Sequence, residues 1–220
     1  MSTQYIQNIG VFDSGVGGES VASAIKQKLP ESNVVYVSDS KNIPYGTKSP
    51  DELYELVEPI LQKLAKHVDV IVIACNTVST TLAPRLRKTI KVPIVAIEPM
   101  VKPAAEMTSS GVVAVCATPT TLASKRYQEL KDIYVSDVLV IEPDCSDWAA
   151  MIESKKIDRE KIARQVNDVC ENDADVIVLG CTHYHWIEEI IKEEAAGRAQ
   201  VLQPEQAVIK QLERVLSQTV

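Results

Sequence analysis

The sequence predicts an α/β protein of two pseudo-symmetric domains, each a mainly parallel sheet flanked by helices. Three observations carry this reading. A nine-residue stretch occurs twice, as DVIVIACNT from Asp69 to Thr77 and as DVIVLGCTH from Asp175 to His183. Short apolar runs alternate along the chain with stretches of helical spacing. Each apolar run breaks into a polar corner before the next helix, the order that right-handed βαβ units and parallel sheets require.

Asn8 to Asp13 (NIGVFD) reads as the first strand, breaking into Ser14-Gly15-Val16-Gly17-Gly18. Glu19 to Leu29 has helical spacing and stops at Pro30. Asn33 to Val37 is the second strand, and a loop with Pro44-Tyr45-Gly46-Thr47 follows. Ser49-Pro50-Asp51-Glu52 reads as a helix start with early acids, and that helix runs to about His67. The first repeated strand ends at Cys75, and a helix is expected from about Thr80 to Lys88. Val92 to Ile97 closes the first half, with Glu98-Pro99 at its end.

The second half repeats the plan. Gly111 to Cys116 is a strand, and the corner Ala117-Thr118-Pro119-Thr120-Thr121 caps a helix to about Lys131. Asp137 to Ile141 is the next strand, closing in Glu142-Pro143-Asp144-Cys145. A helix over Ile157 to Glu171 leads to the second repeated strand, and another is expected from about His185 to Ala195. Gln200 to Leu202 and a last helix from Pro204 to Leu216 complete the order. The domains expected are 1–100, carrying Asp13 and Cys75, and 101–205, carrying Cys181 and His183. Residues 206–220 form a closing helix free to pack back on the first domain.

The 220 residues are enough to bury a proper core, and 45% are apolar, a globular composition. A net charge of −7 argues against general affinity for nucleic acid or anionic membrane. No apolar run approaches a membrane span, and MSTQYIQNIG lacks a signal-peptide pattern. Five scattered cysteines fit a reduced, cytoplasmic protein better than a disulfide scaffold.

In open α/β sheets, ligands bind at the carboxyl ends of the strands, where Cys75 and Cys181 both stand. The glycine corner has neither GxGxxG spacing nor a Walker lysine, so a nucleotide site is not indicated. Its plain reading is a tight turn with Ser14 as a cap, yet Asp13 directly after a buried strand has the place of a catalytic group. Cys170, on a helix, and Cys116, at a strand end, read as core. Other uses of Cys75 and Cys181 stay open: buried apolar thiols, a zinc held with His183 but without a CxxC pair, or a hydrolase with one nucleophile and His183 as base. The hydrolase leaves the second thiol without a task.

Inverting a stereocentre takes a proton from one face and returns one to the other. Two thiols on opposite sides, one ionised and one protonated, meet that demand and exchange roles on reversal. Asp13 is placed to serve one side and His183 the other. No lysine announces pyridoxal phosphate, so no cofactor and no metal are expected.

Four motifs resemble those of the cofactor-independent glutamate racemases of the aspartate/glutamate racemase superfamily. They are Gly10-Val11-Phe12-Asp13-Ser14-Gly15-Val16-Gly17-Gly18, Pro44-Tyr45-Gly46-Thr47-Lys48-Ser49, Ala74-Cys75-Asn76-Thr77 and Gly180-Cys181-Thr182-His183-Tyr184. The resemblance implies a site in the cleft between the domains and interconversion of L- and D-glutamate, the D form feeding peptidoglycan. It implies Cys75 and Cys181 as acid/base thiols, assisted by Asp13 and His183 respectively. It further implies a substrate site lined by Asp13, Ser14, Pro44, Tyr45, Gly46, Asn76, Thr77, Thr118, Thr121, Thr182 and His183, with Glu153 approaching His183. A small-molecule substrate and a homodimer are expected, with no nucleic acid and no membrane. The alternatives are a racemase of aspartate or another acidic amino acid, and a catalytically silent homologue that binds a partner. PYGTKS favours glutamate, whose side-chain carboxylate lies one methylene farther out.

The chain departs from the family pattern in four places. Cys145-Ser146-Asp147-Trp148 stands for the usual CPLF, and His185 for a proline. Gln203-Pro204-Glu205 replaces an Asp-Ser, and Val220 comes before the strand and helices that end many members. Trp148 and Trp186 are expected either to wall the pocket or to fill core.

Overall fold

A computed structural model describes residues 6–218. The leader-free reading of MSTQYIQNIG and the end of the 206–220 segment extend to residues 1–5 and 219–220, outside the described residues. The first half runs β1 (Asn8–Asp13), α1 (Gly18–Lys28), β2 (Asn33–Ser38), α2 (Pro50–Leu64), β3 (Val70–Ile73), α3 (Asn76–Thr89), β4 (Ile94–Ala96) and α4 (Val101–Met107). The second runs β5 (Val112–Cys116), α5 (Pro119–Leu122), α6 (Lys125–Tyr134), β6 (Leu139–Ile141), α7 (Trp148–Glu153), α8 (Arg159–Glu171) and β7 (Val176–Leu179). A 3-10 turn (Thr182–Ile187), α9 (Glu188–Ala195), β8 (Gln200–Leu202) and α10 (Glu205–Ser217) close the chain.

Both sheets are four-stranded and parallel, ordered β2-β1-β3-β4 and β6-β5-β7-β8. The expected α/β class and pseudo-symmetry are therefore observed. Register makes the duplication concrete. Phe12 pairs with Ile73 in one sheet and Cys116 with Leu179 in the other. One step on, Ala74 N donates to Phe12 O at 2.8 Å and Gly180 N to Cys116 O at 2.7 Å. The aspartate that opens each repeat is structural. Asp69 Oδ2 accepts from Asn8 N at 2.7 Å, and Asp175 Oδ2 accepts from Ser109 N and Ser110 N at 2.6 and 2.9 Å. Each ties down the chain entering the neighbouring central strand.

β3 and β7 are buried over their whole length, as strands covered on both faces must be. In α2, Leu53, Val57, Leu61 and Leu64 recur at helical spacing and are all buried. Each such side chain contributes roughly 1.5–3 kcal/mol. Ser49 and Glu52 form a capping box at its start. Val208, Ile209, Leu212 and Leu216 of α10 join the core made by Ile9, Val11, Val21 and Val95, so the closing helix lies on the first sheet.

Several boundaries differ from the sequence expectation. α3 begins at Asn76 rather than Thr80, because the burial of Asn76, Thr77, Val78 and Ser79 in a packed site overrides their poor helix propensity. The segment between the halves contains α4, and Trp148–Glu153 forms α7, both too short to show periodicity. Ser124 caps a fresh helix and splits the expected Pro119–Lys131 helix into α5 and α6. The stretch after Cys181 is first a 3-10 turn and then α9.

Candidate active site

The two thiols occupy equivalent corners. Cys75 is the N-cap of α3 and Cys181 the N-cap of the 3-10 turn, and neither makes a side-chain capping bond. Each sulfur therefore stands beside free backbone N–H groups, an environment that favours the thiolate. Burial opposes it more strongly. The Cys75 thiol is pushed up to about 12 by burial, then by the charge of Asp13, with Ser14 and the Val78 amide pulling the other way. Burial also raises Cys181, and the amides of His183 and Tyr184 lower it.

Both thiols face one cavity of about 450 Å³ between the two halves. Of the residues expected at the site, Ser14, Pro44, Tyr45, Gly46, Cys75, Thr77, Thr118, Cys181 and His183 line it. Asp13, Asn76, Thr121 and Thr182 lie behind this lining, each at most 2% exposed. Ile43, Thr47, Ser146, Ala149, Ala150, Glu153 and Ser154 line it as well. Ile43 and Thr47 belong to the loop around Tyr45, and the others come from α7 and its flanks, a helix without visible periodicity, from which only Glu153 was expected. Among the described residues, no lysine or arginine lines the cavity.

The Cys181 side is a relay. His183 Nδ1 lies 3.8 Å from Cys181 Sγ, and His183 Nε2 lies 2.6 Å from Glu153 Oε1. Glu153 also accepts from Val16 N at 3.0 Å. With Nε2–H given to the carboxylate, Nδ1 is left as an acceptor facing the thiol. The Cys75 side is indirect. Asp13 Oδ1 accepts from Gly15 N at 3.0 Å and from Ser14 Oγ at 3.3 Å, and Ser14 Oγ lies 3.5 Å from Cys75 Sγ. Asp13 therefore reaches Cys75 through Ser14.

The halves meet closely around this cavity. Thr182 Oγ1 donates to Asp13 Oδ2 at 2.7 Å, and Thr77 Oγ1 lies 3.0 Å from Thr118 Oγ1. Tyr45 donates to Asp39 at 2.6 Å, and Asn42 binds both oxygens of that carboxylate, fixing the loop. Gly46 O accepts from Thr120 Oγ1 at 2.6 Å. Side chains would crowd the site at its glycines: a Cβ on Gly15 would lie 2.0 Å from Glu153 Oε1, one on Gly17 2.6 Å from His183 N, and one on Gly46 2.9 Å from the Thr118 Cβ. The Asn76 amide is buried, and neither of its polar atoms finds a partner among the described residues.

Neither tryptophan lines the cavity. Trp148 fills core, edge-on to Tyr184 with centroids 5.1 Å apart and its Nε1 on Gln165. Trp186 is 55% exposed, so for it neither expected use holds. Among the described residues, no group of three or more His, Cys, Asp or Glu is placed to hold a metal ion. None of their helices is long and apolar enough to cross a membrane.

Twin parallel sheets presenting a thiol corner each to a shared cavity define the class, an α/β protein with duplicated cysteine chemistry. The sequence pattern of the Asp/Glu/Hydantoin racemase family matches residues 9–212, and the chain belongs to that family. It is 40% identical over 215 residues to a glutamate racemase of Pseudomonas aeruginosa, covering 95% of this chain and 81% of that protein. Among solved structures it resembles the Escherichia coli glutamate racemase in complex with L-glutamate and the activator UDP-MurNAc-ala, with TM-score 0.88 and 27% identity over 97% of this chain and 83% of that one. It also resembles the Francisella tularensis glutamate racemase bound to D-glutamate, with TM-score 0.81 and 27% identity over 97% and 82%.

Proposed function

We propose that the chain is a glutamate racemase that interconverts L- and D-glutamate by two-base proton transfer between Cys75 and Cys181, supplying D-glutamate for peptidoglycan. The observation that carries this reading is the pair of thiols, each at the N-cap position after a central strand, facing one cavity from equivalent corners. Similarity to glutamate racemases supports glutamate over aspartate.

The thiolate of one cysteine takes the α-proton from one face, while the thiol of the other gives a proton to the opposite face. Reversal exchanges their roles, so the enzyme ends each cycle with one thiolate and one thiol. Burial raises both thiols, so forming either thiolate needs a route for its proton. His183 Nδ1, backed by Glu153, supplies it for Cys181, and Asp13 acting through Ser14 supplies it for Cys75. The incoming ammonium adds positive charge that offsets the burial penalty on the thiolate. With no lysine or arginine lining the cavity among the described residues, backbone amides at the helix starts and the hydroxyls of Ser14, Thr77 and Thr118 hold the two carboxylates.

The same reading divides the chain into domains 1–100 and 101–205 with the 206–220 helix returned to the first, supported by the apolar contacts of α10. Five free cysteines support a reducing, cytoplasmic setting. The homodimer rests on family resemblance and is checked by sedimentation velocity. The activity is tested by incubating each enantiomer of glutamate in deuterated water without pyridoxal phosphate or metal. Both should exchange the α-proton and lose optical rotation. No uptake from either enantiomer removes the reading, and uptake with aspartate alone makes the chain an aspartate racemase.

A further inference from the structure

His185 sits two residues beyond His183 on the same 3-10 turn, in a place the two-base scheme does not use. Its side chain is 4% exposed and reaches out of the second sheet's half into the first. His185 Nδ1 lies 3.0 Å from Ser20 Oγ on α1 and 3.3 Å from Glu205 Oε1 at the start of α10. Both helices pack on the first sheet. His185 Nε2 is buried and finds no hydrogen-bond partner among the described residues. With its proton on Nδ1 the ring donates toward the hydroxyl and the carboxylate, and Nε2 is left as a buried acceptor.

The 3-10 turn needs such an anchor. Its hydrogen bonds are poorer than those of an α-helix, and its N-cap makes no side-chain bond. Tyr184 ties the turn to its own half, through a 2.8 Å bond from its hydroxyl to Cys145 O. Thr182 ties it to the first half at Asp13. His185 is a further tie to that half on the far side of His183, next to a long 3.4 Å bond from Trp186 Nε1 to Val16 O.

We propose that His185 is a positioning residue for proton transfer by Cys181: held between Ser20 and Glu205, it fixes the turn carrying His183 against the first domain. Glu205 is pulled below the usual carboxylate range, by the His185 bond first and with burial opposing, which keeps a charged acceptor on that ring. The inference rests on the two-base reading above.

The test uses elimination of HCl from the two enantiomers of threo-3-chloroglutamate. A single base removes the α-proton, chloride leaves the adjacent carbon, and the two proton transfers are read separately. The enantiomer that loses elimination in Cys181→Ser reports on Cys181. His185→Ala should slow that enantiomer about tenfold or more and leave the other within about twofold, because a misplaced group loses rate steeply with distance. Asn carries its amide where Nδ1 stands and Gln where Nε2 stands. His185→Asn should therefore restore most of the rate and His185→Gln should not. Glu205 is 23% exposed and gains water when unpaired, so the variants should retain the wild-type circular dichroism. Equal losses with both enantiomers, no loss, or equal rescue by Asn and Gln would each overturn the positioning role. Wild-type protein inert toward both enantiomers would instead overturn the racemase reading beneath it.

Discussion

Thr182 Oγ1 donates a 2.7 Å hydrogen bond to Oδ2 of Asp13, so a hydroxyl from one half completes the carboxylate of the other. Asp13 is fully buried, and its remaining bonds come from Gly15 and Ser14. A carboxylate in that state is tolerable only with its acceptors filled. Thr182→Ala should cost roughly 1–3 kcal/mol of stability, and Thr182→Ser should cost far less. Urea unfolding of the two variants checks this.

The charge of Asp13 raises the Cys75 thiol, second only to burial. Removing the charge should lower that thiol, leaving more thiolate at a given pH. In Asp13→Asn, alkylation of Cys75 by iodoacetamide at pH 8 should therefore be faster than in wild type, even as turnover falls. In wild type the rate should climb about tenfold per pH unit above neutrality, since only the thiolate reacts. Peptide mass spectrometry at Cys75 reads both. Slower alkylation in the Asn variant contradicts the assignment.

Gly15 is the point where the glycine corner touches the relay. A methyl group there would lie 2.0 Å from Glu153 Oε1 and 2.8 Å from His183 Nε2. Gly15→Ala should displace the pair and lower kcat about a hundredfold, as misplacement of reacting groups does. Steady-state kinetics with each enantiomer measures it.

The two supporting groups serve different thiols, and their loss should differ by direction. Asp13→Asn should weigh on the direction that uses Cys75 as base, and His183→Asn on the other. An equilibrium constant of one forces kcat/KM to fall equally both ways, so the asymmetry must appear in kcat and KM separately. Matching profiles for the two variants count against the division.

Much of the fold was legible in the sequence because β3 and β7 are buried on both faces and read as unbroken apolar runs. The duplicated DVIV-Cys stretch located both thiols at strand ends before any coordinate. Contacts between distant segments left no local pattern. Glu153 reaches His183 from a six-residue helix without visible periodicity, and Ser20, His185 and Glu205 come from three elements. The helix start at Asn76 was hidden because tertiary packing overrode the weak propensity of Asn76 and Thr77. Trp186 was misjudged since an aromatic residue carries no mark of which face it takes.

The most direct measurement of the central claim is activity of the single-cysteine variants. Cys75→Ser and Cys181→Ser should each abolish glutamate racemisation, because serine is too weak a base at neutral pH. Each should still eliminate HCl from one enantiomer of threo-3-chloroglutamate, and the two should prefer opposite enantiomers. Racemisation near the wild-type rate in Cys181→Ser, or the same enantiomer preferred by both variants, would contradict a mechanism with one thiol on each face.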